Sequence, residues 1–247
     1  AYGDAMGSNI TLITLIIAIP VLLGKDMITR SVLHSKDAYY ATFFAFLPVL
    51  LSLDGNLKRF DGAILVLAYI AYLSSVMRRS KGLEKLVQKF EQINIWKAWF
   101  FFILSLVFLL GSSRGIVLAA LNISQKMGWA LSFVGLTITS LGTSLPEIAF
   151  VISSKAKNNQ REILGDVVGS VVANSTLVLG TASLLHPIQL QHSSLSSSTI
   201  LILTIALLVF LKFTRSKEKL EKFEGAILLG IYIMFILTEY FLQTQIK

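Results

Sequence analysis

Long apolar stretches alternate with short polar segments along the whole chain. Crossing a bilayer takes about 20 mostly apolar residues, and a window of that length identifies the candidates. The predicted spans are 8–24, 37–53, 61–77, 98–119, 129–153, 164–186, 197–213 and 224–243. This pattern predicts an all-α, multi-pass integral membrane protein.

Composition and charge agree with a membrane protein. Of 247 residues, 54% are hydrophobic and 15% are charged, and the mean hydropathy is +0.72. The formal net charge of +8 could indicate nucleic-acid binding, but the basic residues stand in short loops between spans, where membrane orientation explains them better. The chain has no cysteine, which excludes disulfides and thiolate metal sites.

Two sequence matches at nearly the same offset indicate an internal duplication. Residues 3–8 (GDAMGS) match 165–170 (GDVVGS) at an offset of 162, and 60–65 match 223–228 at an offset of 163. The second half, 98–247, reads as a complete five-span repeat, and 1–77 reads as the last three spans of the first repeat. The offset places the counterpart of Glu147 about fifteen residues before Ala1. We therefore expect that two initial helices of the first repeat are missing, leaving eight of ten spans.

Loop charge predicts the orientation of the spans. Loops 24–36, 78–96, 154–163 and 212–222 carry sixteen Lys and Arg residues, whereas 54–60, 111–128 and 187–196 carry four. The basic loops are predicted to be cytoplasmic by the positive-inside rule. Because each repeat has five spans, the two repeats are inverted, an architecture typical of secondary transporters. The basic linker 78–97 is predicted to be cytoplasmic, either as an amphipathic helix or as a solvated connector near anionic lipid.

The span 129–153 contains a carboxylate, Glu147, in the middle of an apolar run. A charge at that depth costs at least about 2.5–3.5 kcal/mol and is rarely kept without a function. Pro146 lacks an N–H and interrupts the helix beside it. Hydroxyl groups crowd the same turns, so the stretch predicts a kinked helix with a cation site. The alternative, a structural ion pair, would need a buried Lys or Arg that no span interior supplies.

The following span, 164–186, carries a second set of polar residues. Gly169 would allow a close helix contact, and Ser170 and Asn174 stand one turn apart on one helical face. Two facing helices of this kind offer carboxylate, amide, hydroxyl and carbonyl oxygens, which suit a hard cation such as Ca²⁺.

The motifs GTSLPE (142–147) and GDVVGSxxxN (165–174) resemble the alpha-repeat of the calcium/cation antiporter superfamily, which includes the sodium/calcium exchangers. The resemblance covers Gly135 to about Pro187 and implies an inverted-repeat exchanger fold without an enzymatic activity or cofactor. It implies antiport of Ca²⁺ against Na⁺ or H⁺ by alternating access at a midplane site. The implied ligands, with Ser140 acting through its backbone carbonyl and Ser8 as the first-repeat counterpart of Ser170, are Glu147, Thr143, Ser144, Ser170, Asn174, Ser140, Ser8 and Asp166.

Several of these ligands have structural alternatives. The hydroxyls of Thr143 and Ser144 could bond only to the preceding turn of their own helix. Asn174 could join two helices, and Asp166, near the predicted cytoplasmic mouth, could be merely solvated. In the first repeat, Leu12 stands where the resemblance implies Asn or Asp, with Asn9, Thr11 and Thr14 as substitutes to consider.

The departure at Leu12 motivates a second functional hypothesis, a non-transporting or partner-dependent membrane subunit with half a site. An intramembrane hydrolase is disfavoured because Glu147 has no neighbouring His, Cys or second Asp to form a catalytic pair. The sequence leaves Na⁺ or H⁺ coupling open, as it does the choice between a homodimer and added N-terminal helices. A plasma or inner membrane is the expected location.

Overall fold

The computed structural model describes residues 1–23, 27–28, 35–79, 95–156, 160–190, 197–216 and 219–245. Most of the predicted linker 78–97 lies outside these residues, including the stretch expected to form an amphipathic helix. Within the described part, nearly every residue is helical, which confirms the prediction of an all-α chain.

Each predicted span falls on a helix or, in one case, on a broken pair of helices. The helices are α1 (Tyr2–Leu22), α2 (Ser35–Leu51), α3 (Arg59–Arg79), α4 (Ile95–Met127), α5 (Leu131–Val134, Gly135–Thr139 and Ser140–Thr143), α6 (Leu145–Ala156), α7 (Gln160–Ala173, Asn174–Val178 and Leu179–Leu185), α8 (Ser197–Ser216) and α9 (Lys222–Gln245). Among the described residues, four helices are long and apolar enough to cross a membrane, or five if the bent pair α5–α6 counts as one span. Shorter apolar helices cover Tyr39–Leu51, Ile95–Phe108 and Ser198–Thr214.

In the described residues, two pairs of very short strands join loops of the two halves, although the hydrophobic pattern predicts no strand there. Strand β1 (Met27–Ile28) pairs antiparallel with β4 (Lys219–Leu220), and β2 (Asn56–Leu57) pairs antiparallel with β3 (Ile188–Gln189). The internal offset relates β1 to β3 and β4 to β2, so each pair is the repeat-related copy of the other. By loop charge, the β1–β4 pair is on the predicted cytoplasmic side and the β2–β3 pair on the outer side.

The chain forms two compact units, and the repeat boundaries at 77 and 98 stay a prediction. One unit comprises residues 1–69 and 132–247, and the other comprises 70–131. The first unit contains the buried core, and α1 lies at its centre, packed against α5, α7, α8 and α9. The second unit is made of the end of α3 and the long helix α4, most of whose described side chains are exposed.

In the part of the chain that the structure describes, three helices contain a π-helical turn, a feature that often marks functional sites. The turns are Leu12–Ile16 in α1, Gly135–Thr139 in α5 and Asn174–Val178 in α7. The turns in α1 and α7 begin 162 residues apart, which is the offset of the sequence repeat. The backbone therefore carries the same local irregularity at equivalent positions of both halves.

A close helix contact of the kind expected at Gly169 occurs at its repeat counterpart, Gly7. A Cβ atom on Gly7 would overlap the Leu136 carbonyl oxygen of α5 and lie 2.8 Å from the Ser140 hydroxyl oxygen. A Cβ atom on Gly169 would meet no atom of the described chain within 4 Å. Gly7 thus brings the backbone of α1 against α5, where the predicted site residues are.

Candidate functional site

The fifth predicted span is broken at Ser144. Helices α5 and α6 meet there at an angle of 41°, and Ser144 itself has φ −92° and ψ 1°, outside the helical region. Pro146, two residues later, has no N–H to donate to the Gly142 carbonyl. The interruption of the helix occurs where the sequence placed it, beside Glu147.

The Ser140 carbonyl, predicted to be free for a cation, is surrounded by hydrogen-bond donors. It accepts bonds from the Ser144 hydroxyl at 2.8 Å and the Thr143 hydroxyl at 3.1 Å, and the Ser8 hydroxyl lies 3.5 Å away. The Thr143 and Ser144 hydroxyls therefore bond to their own helix, as the structural alternative allowed. Each hydroxyl that donates keeps its oxygen lone pairs, so both remain able to face a cation.

Ser8 brings the first half of the chain into this group of hydroxyls. Its side chain is 4% exposed, and its oxygen lies 3.2 Å from the Thr143 hydroxyl oxygen across the α1–α5 contact. Of the predicted ligands, the structure thus brings together Ser8, Ser140, Thr143 and Ser144.

Glu147 and Asp166 form a second group. Both side chains are half-buried, and each has one buried carboxylate oxygen without a hydrogen-bond partner, Oε2 of Glu147 and Oδ2 of Asp166. The two carboxylates are close enough to interact electrostatically. Neither forms an ion pair with a basic side chain in the described part of the protein. Two neighbouring carboxylates with unsatisfied oxygens favour a bound cation or a proton.

Ser170 and Asn174 lie on α7, four and eight residues after Asp166. Both side chains are half-buried, and Asn174 is the first residue of the π-helical turn in α7. Within the described residues, neither side chain hydrogen-bonds to the Ser8–Thr143 group or to Glu147. Their role as ligands stays a prediction from their place on the helix.

Leu12 is 1% exposed and begins the π-helical turn of α1, at the position equivalent to Asn174. Of the proposed substitutes, Thr11 donates to the Gly7 carbonyl at 2.9 Å and Thr14 to the Ile10 carbonyl at 2.5 Å, both within α1. Asn9 instead donates to the Ser175 hydroxyl of α7 at 2.7 Å, and its Oδ1 atom is buried without a partner.

Asp4 was not among the predicted site residues, although its carboxylate is close enough to Thr143 to interact with that side chain. Its Oδ1 atom is buried and has no partner. The repeat itself carried the signal, because Asp4 stands at the position equivalent to Asp166. In the described residues, no three His, Cys, Asp or Glu side chains converge as a metal cluster, so the candidate donors are mostly hydroxyls and pairs of carboxylates.

Sodium/calcium exchangers and an antiporter are among the known proteins that resemble this chain in sequence or in structure. The family described as "Sodium/calcium exchanger protein" matches residues 1–78 and 97–241. A protein named putative antiporter CaxA, from Alkalimonas amylolytica, is 29% identical over 243 residues, which cover 94% of this chain and 76% of that protein. The structure of the sodium/calcium exchanger from Methanococcus jannaschii aligns with a TM-score of 0.64 at 23% identity, covering 95% of this chain and 74% of that one. The structure of native YfkE aligns with a TM-score of 0.69 at 14% identity, covering 97% and 74%.

Proposed function

Because the chain belongs to the sodium/calcium exchanger protein family and has its inverted-repeat fold, we propose that this membrane cation antiporter exchanges Ca²⁺ for Na⁺ or H⁺ at the α5–α6 break. The environment of the Glu147 carboxylate supports this proposal most directly. The carboxylate has an unsatisfied buried oxygen, a second carboxylate within electrostatic range and no basic partner among the described residues.

The proposed ligands are oxygen atoms, which suit Ca²⁺. Glu147 and Asp166 supply negative charge. Thr143 and Ser144, four and three residues before Glu147, supply hydroxyl oxygens. Ser8 and Ser140 hold these hydroxyls in place, and Ser170 and Asn174 complete the proposed set from α7. Na⁺ or H⁺ bound to these carboxylates excludes Ca²⁺ from the same site. Because the site holds either Ca²⁺ or the other ion at one time, the two fluxes are coupled.

Alternating access requires that the site open to each side in turn. Interrupted helices at a site between inverted repeats are the arrangement in which such transporters bind their substrates. The break at Ser144 and the π-helical turns in α1, α5 and α7 place weakened helical hydrogen bonding around the site. We propose that these turns bend as the ion is exchanged.

The test is ⁴⁵Ca²⁺ uptake into proteoliposomes that contain the full-length protein, driven by an outward Na⁺ gradient or, separately, by an outward H⁺ gradient. The two gradients identify the coupling ion. Glu147→Gln should abolish uptake, whereas Glu239→Gln, which changes a buried carboxylate outside the site, should retain it. Undiminished uptake by Glu147→Gln would refute the assigned site.

The buried Leu12 favours one second candidate, a partner-dependent subunit. At the position equivalent to Asn174, Leu12 offers no oxygen, so the site in α1 is poorer in ligands than the site in α7. A subunit of this kind would bind Ca²⁺ weakly when purified alone and would transport none. The same uptake assay on the purified protein separates the two functions.

A further inference from the structure

Asp4 in α1 and Asp166 in α7 occupy equivalent positions in the two repeats. Because α1 and α7 run in opposite directions, the two aspartates lie on opposite sides of the point where these helices cross. Each stands one helical turn before a serine, Ser8 in α1 and Ser170 in α7. The first half of α1 packs against the second part of α7, and the π-helical turn of α1 packs against the first part of α7, so the two helices are antiparallel. The Asn9–Ser175 bond marks their crossing. At a rise of 1.5 Å per residue, Asp4 and Asp166 are roughly 20 Å apart along the helix axes.

The two aspartates meet the broken helix at successive turns. Asp4 is close enough to interact with Thr143, just before the break, and Asp166 interacts electrostatically with Glu147, just after it. Both aspartates keep a buried oxygen without a partner. In the described residues, no basic side chain forms an ion pair with Asp4.

A contact at the start of α1 relates Asp4 to one side of the membrane. The Tyr2 hydroxyl lies 3.0 Å from the Ser52 hydroxyl, so the beginning of α1 adjoins the segment that leads into loop 54–60. Loop charge predicts that this loop is on the outer side, whereas Asp166 comes after the basic loop 154–163 on the cytoplasmic side.

We propose that Asp4 binds the transported cation as it approaches Thr143 and Glu147 from the outer side, and that Asp166 does so from the cytoplasmic side. The inference rests on the proposed antiport at Glu147. The carboxylates of Asp4, Glu147 and Asp166 then form a row along the broken helix. Asp4 sets the apparent Ca²⁺ affinity on the outer side, and Asp166 sets it on the cytoplasmic side.

The test measures half-saturating Ca²⁺ separately on each face of oriented proteoliposomes. Asp4→Asn removes the charge but keeps an oxygen that can accept a bond from Thr143. It should raise half-saturating outer Ca²⁺ about tenfold and leave the inner value within twofold of wild type, and Asp166→Asn should do the reverse. Asp54→Asn is the matched control, because it removes an exposed carboxylate from loop 54–60, on the same predicted outer side as Asp4. The Lys58 ammonium, 2.6 Å away, holds the pKa of Asp54 below its ordinary value, so the control also removes a full charge.

A second variant separates charge from folding. The chain has no cysteine, so Asp4→Cys creates a unique thiol. A negatively charged methanethiosulfonate applied from outside should restore outer affinity, a positively charged one should lower it further, and neither should act from inside. Identical effects of both reagents, or an Asp54→Asn shift equal to that of Asp4→Asn, would overturn the inference.

The outcomes distinguish this inference from the proposed function. If the wild-type protein moves no Ca²⁺ under either gradient, both fail. If the wild type transports, Glu147→Gln does not, and Asp4→Asn matches the wild type on both faces, only the role of Asp4 fails.

Discussion

The Ser8 hydroxyl oxygen lies 3.2 Å from the Thr143 hydroxyl oxygen, although 135 residues separate them in the chain. This contact links α1, from the first half, to the turn that precedes Glu147 in the second half. Asp4 reaches the same Thr143 side chain one turn earlier. Thr143 is therefore the point at which the two halves share the candidate site.

Thr143→Val should weaken Ca²⁺ binding. Valine keeps the shape of threonine but removes the oxygen that contacts Ser8 and Asp4. Hydrogen bonds to charged groups contribute about 1.5–3 kcal/mol, so the half-saturating Ca²⁺ in ⁴⁵Ca²⁺ uptake should rise at least about tenfold. Thr181→Val is the control, because the exposed Thr181 hydroxyl bonds only to its own helix, at 2.7 Å and 3.1 Å. Equal effects of the two substitutions would count against a role for Thr143 in the site.

Gly7→Ala should destabilise the fold. The added methyl group would overlap the Leu136 carbonyl oxygen, which belongs to the backbone and has little room to move. Overpacking typically costs about 1–3 kcal/mol, which corresponds to a fall in the melting temperature of about 2–12 °C for a chain of this length. Thermal unfolding in detergent, monitored by tryptophan fluorescence, measures the change. Gly230→Ala, on the exposed face of α9 with no atom nearby, should unfold at the wild-type temperature.

The Asn9–Ser175 bond should stabilise the crossing of α1 and α7. A double-mutant cycle with Asn9→Ala and Ser175→Ala should give an interaction free energy of about 0.5–1.5 kcal/mol in urea unfolding, the range found for hydrogen bonds between membrane helices. Additive single effects would mean that the 2.7 Å contact contributes nothing to stability.

Thr199→Val should lower stability without changing Ca²⁺ affinity. The Thr199 hydroxyl donates to the Glu239 carboxylate at 2.5 Å, and both side chains are buried between α8 and α9. Removing the donor leaves the carboxylate without that bond, which costs about 1–3 kcal/mol. Glu239→Gln should cost less, since the amide oxygen can still accept. Thr204→Val, whose partner is the Ile200 carbonyl of its own helix, serves as the control in the same thermal unfolding assay. A shift of half-saturating Ca²⁺ in Thr199→Val would instead connect this pair to transport.

The sequence was enough to predict the helices and the interrupted span. Apolar length determines where a helix can cross a bilayer, and Pro146 interrupts its helix through covalent structure alone. The family could be predicted as well, because the residues of a cation site are constrained in type and spacing. These features depend on local chemistry, which a single sequence displays.

The contacts between helices could not be predicted in the same way. The close approach of Gly7 to the Leu136 carbonyl oxygen joins residues that are far apart in the chain, and no local pattern displays it. A π-helical turn adds one residue to a helical turn and so rotates the remainder of the helix, which the hydrophobic pattern does not show. The Ser140 carbonyl was predicted as a ligand from its place near Pro146, but the hydroxyls of three other serine and threonine residues that converge on it could not be predicted. The repeat shows that Asp4 is equivalent to Asp166. Its place beside Thr143, which connects it to the site, is known only from the structure.

The paired strands have a mechanical consequence. Since β1–β4 and β2–β3 each join one loop from either half, on opposite predicted sides of the membrane, they act as clamps at the two ends of the unit that contains α1 and α7. Helices α2 and α8 each run from one strand pair to the other, so they have little freedom to slide as rigid rods. Helices α1 and α7 each lead into a strand pair only at the C-terminal end. We therefore expect a rearrangement of this unit to occur as bending of α1 and α7 at their π-helical turns, between flanking helices that stay in place.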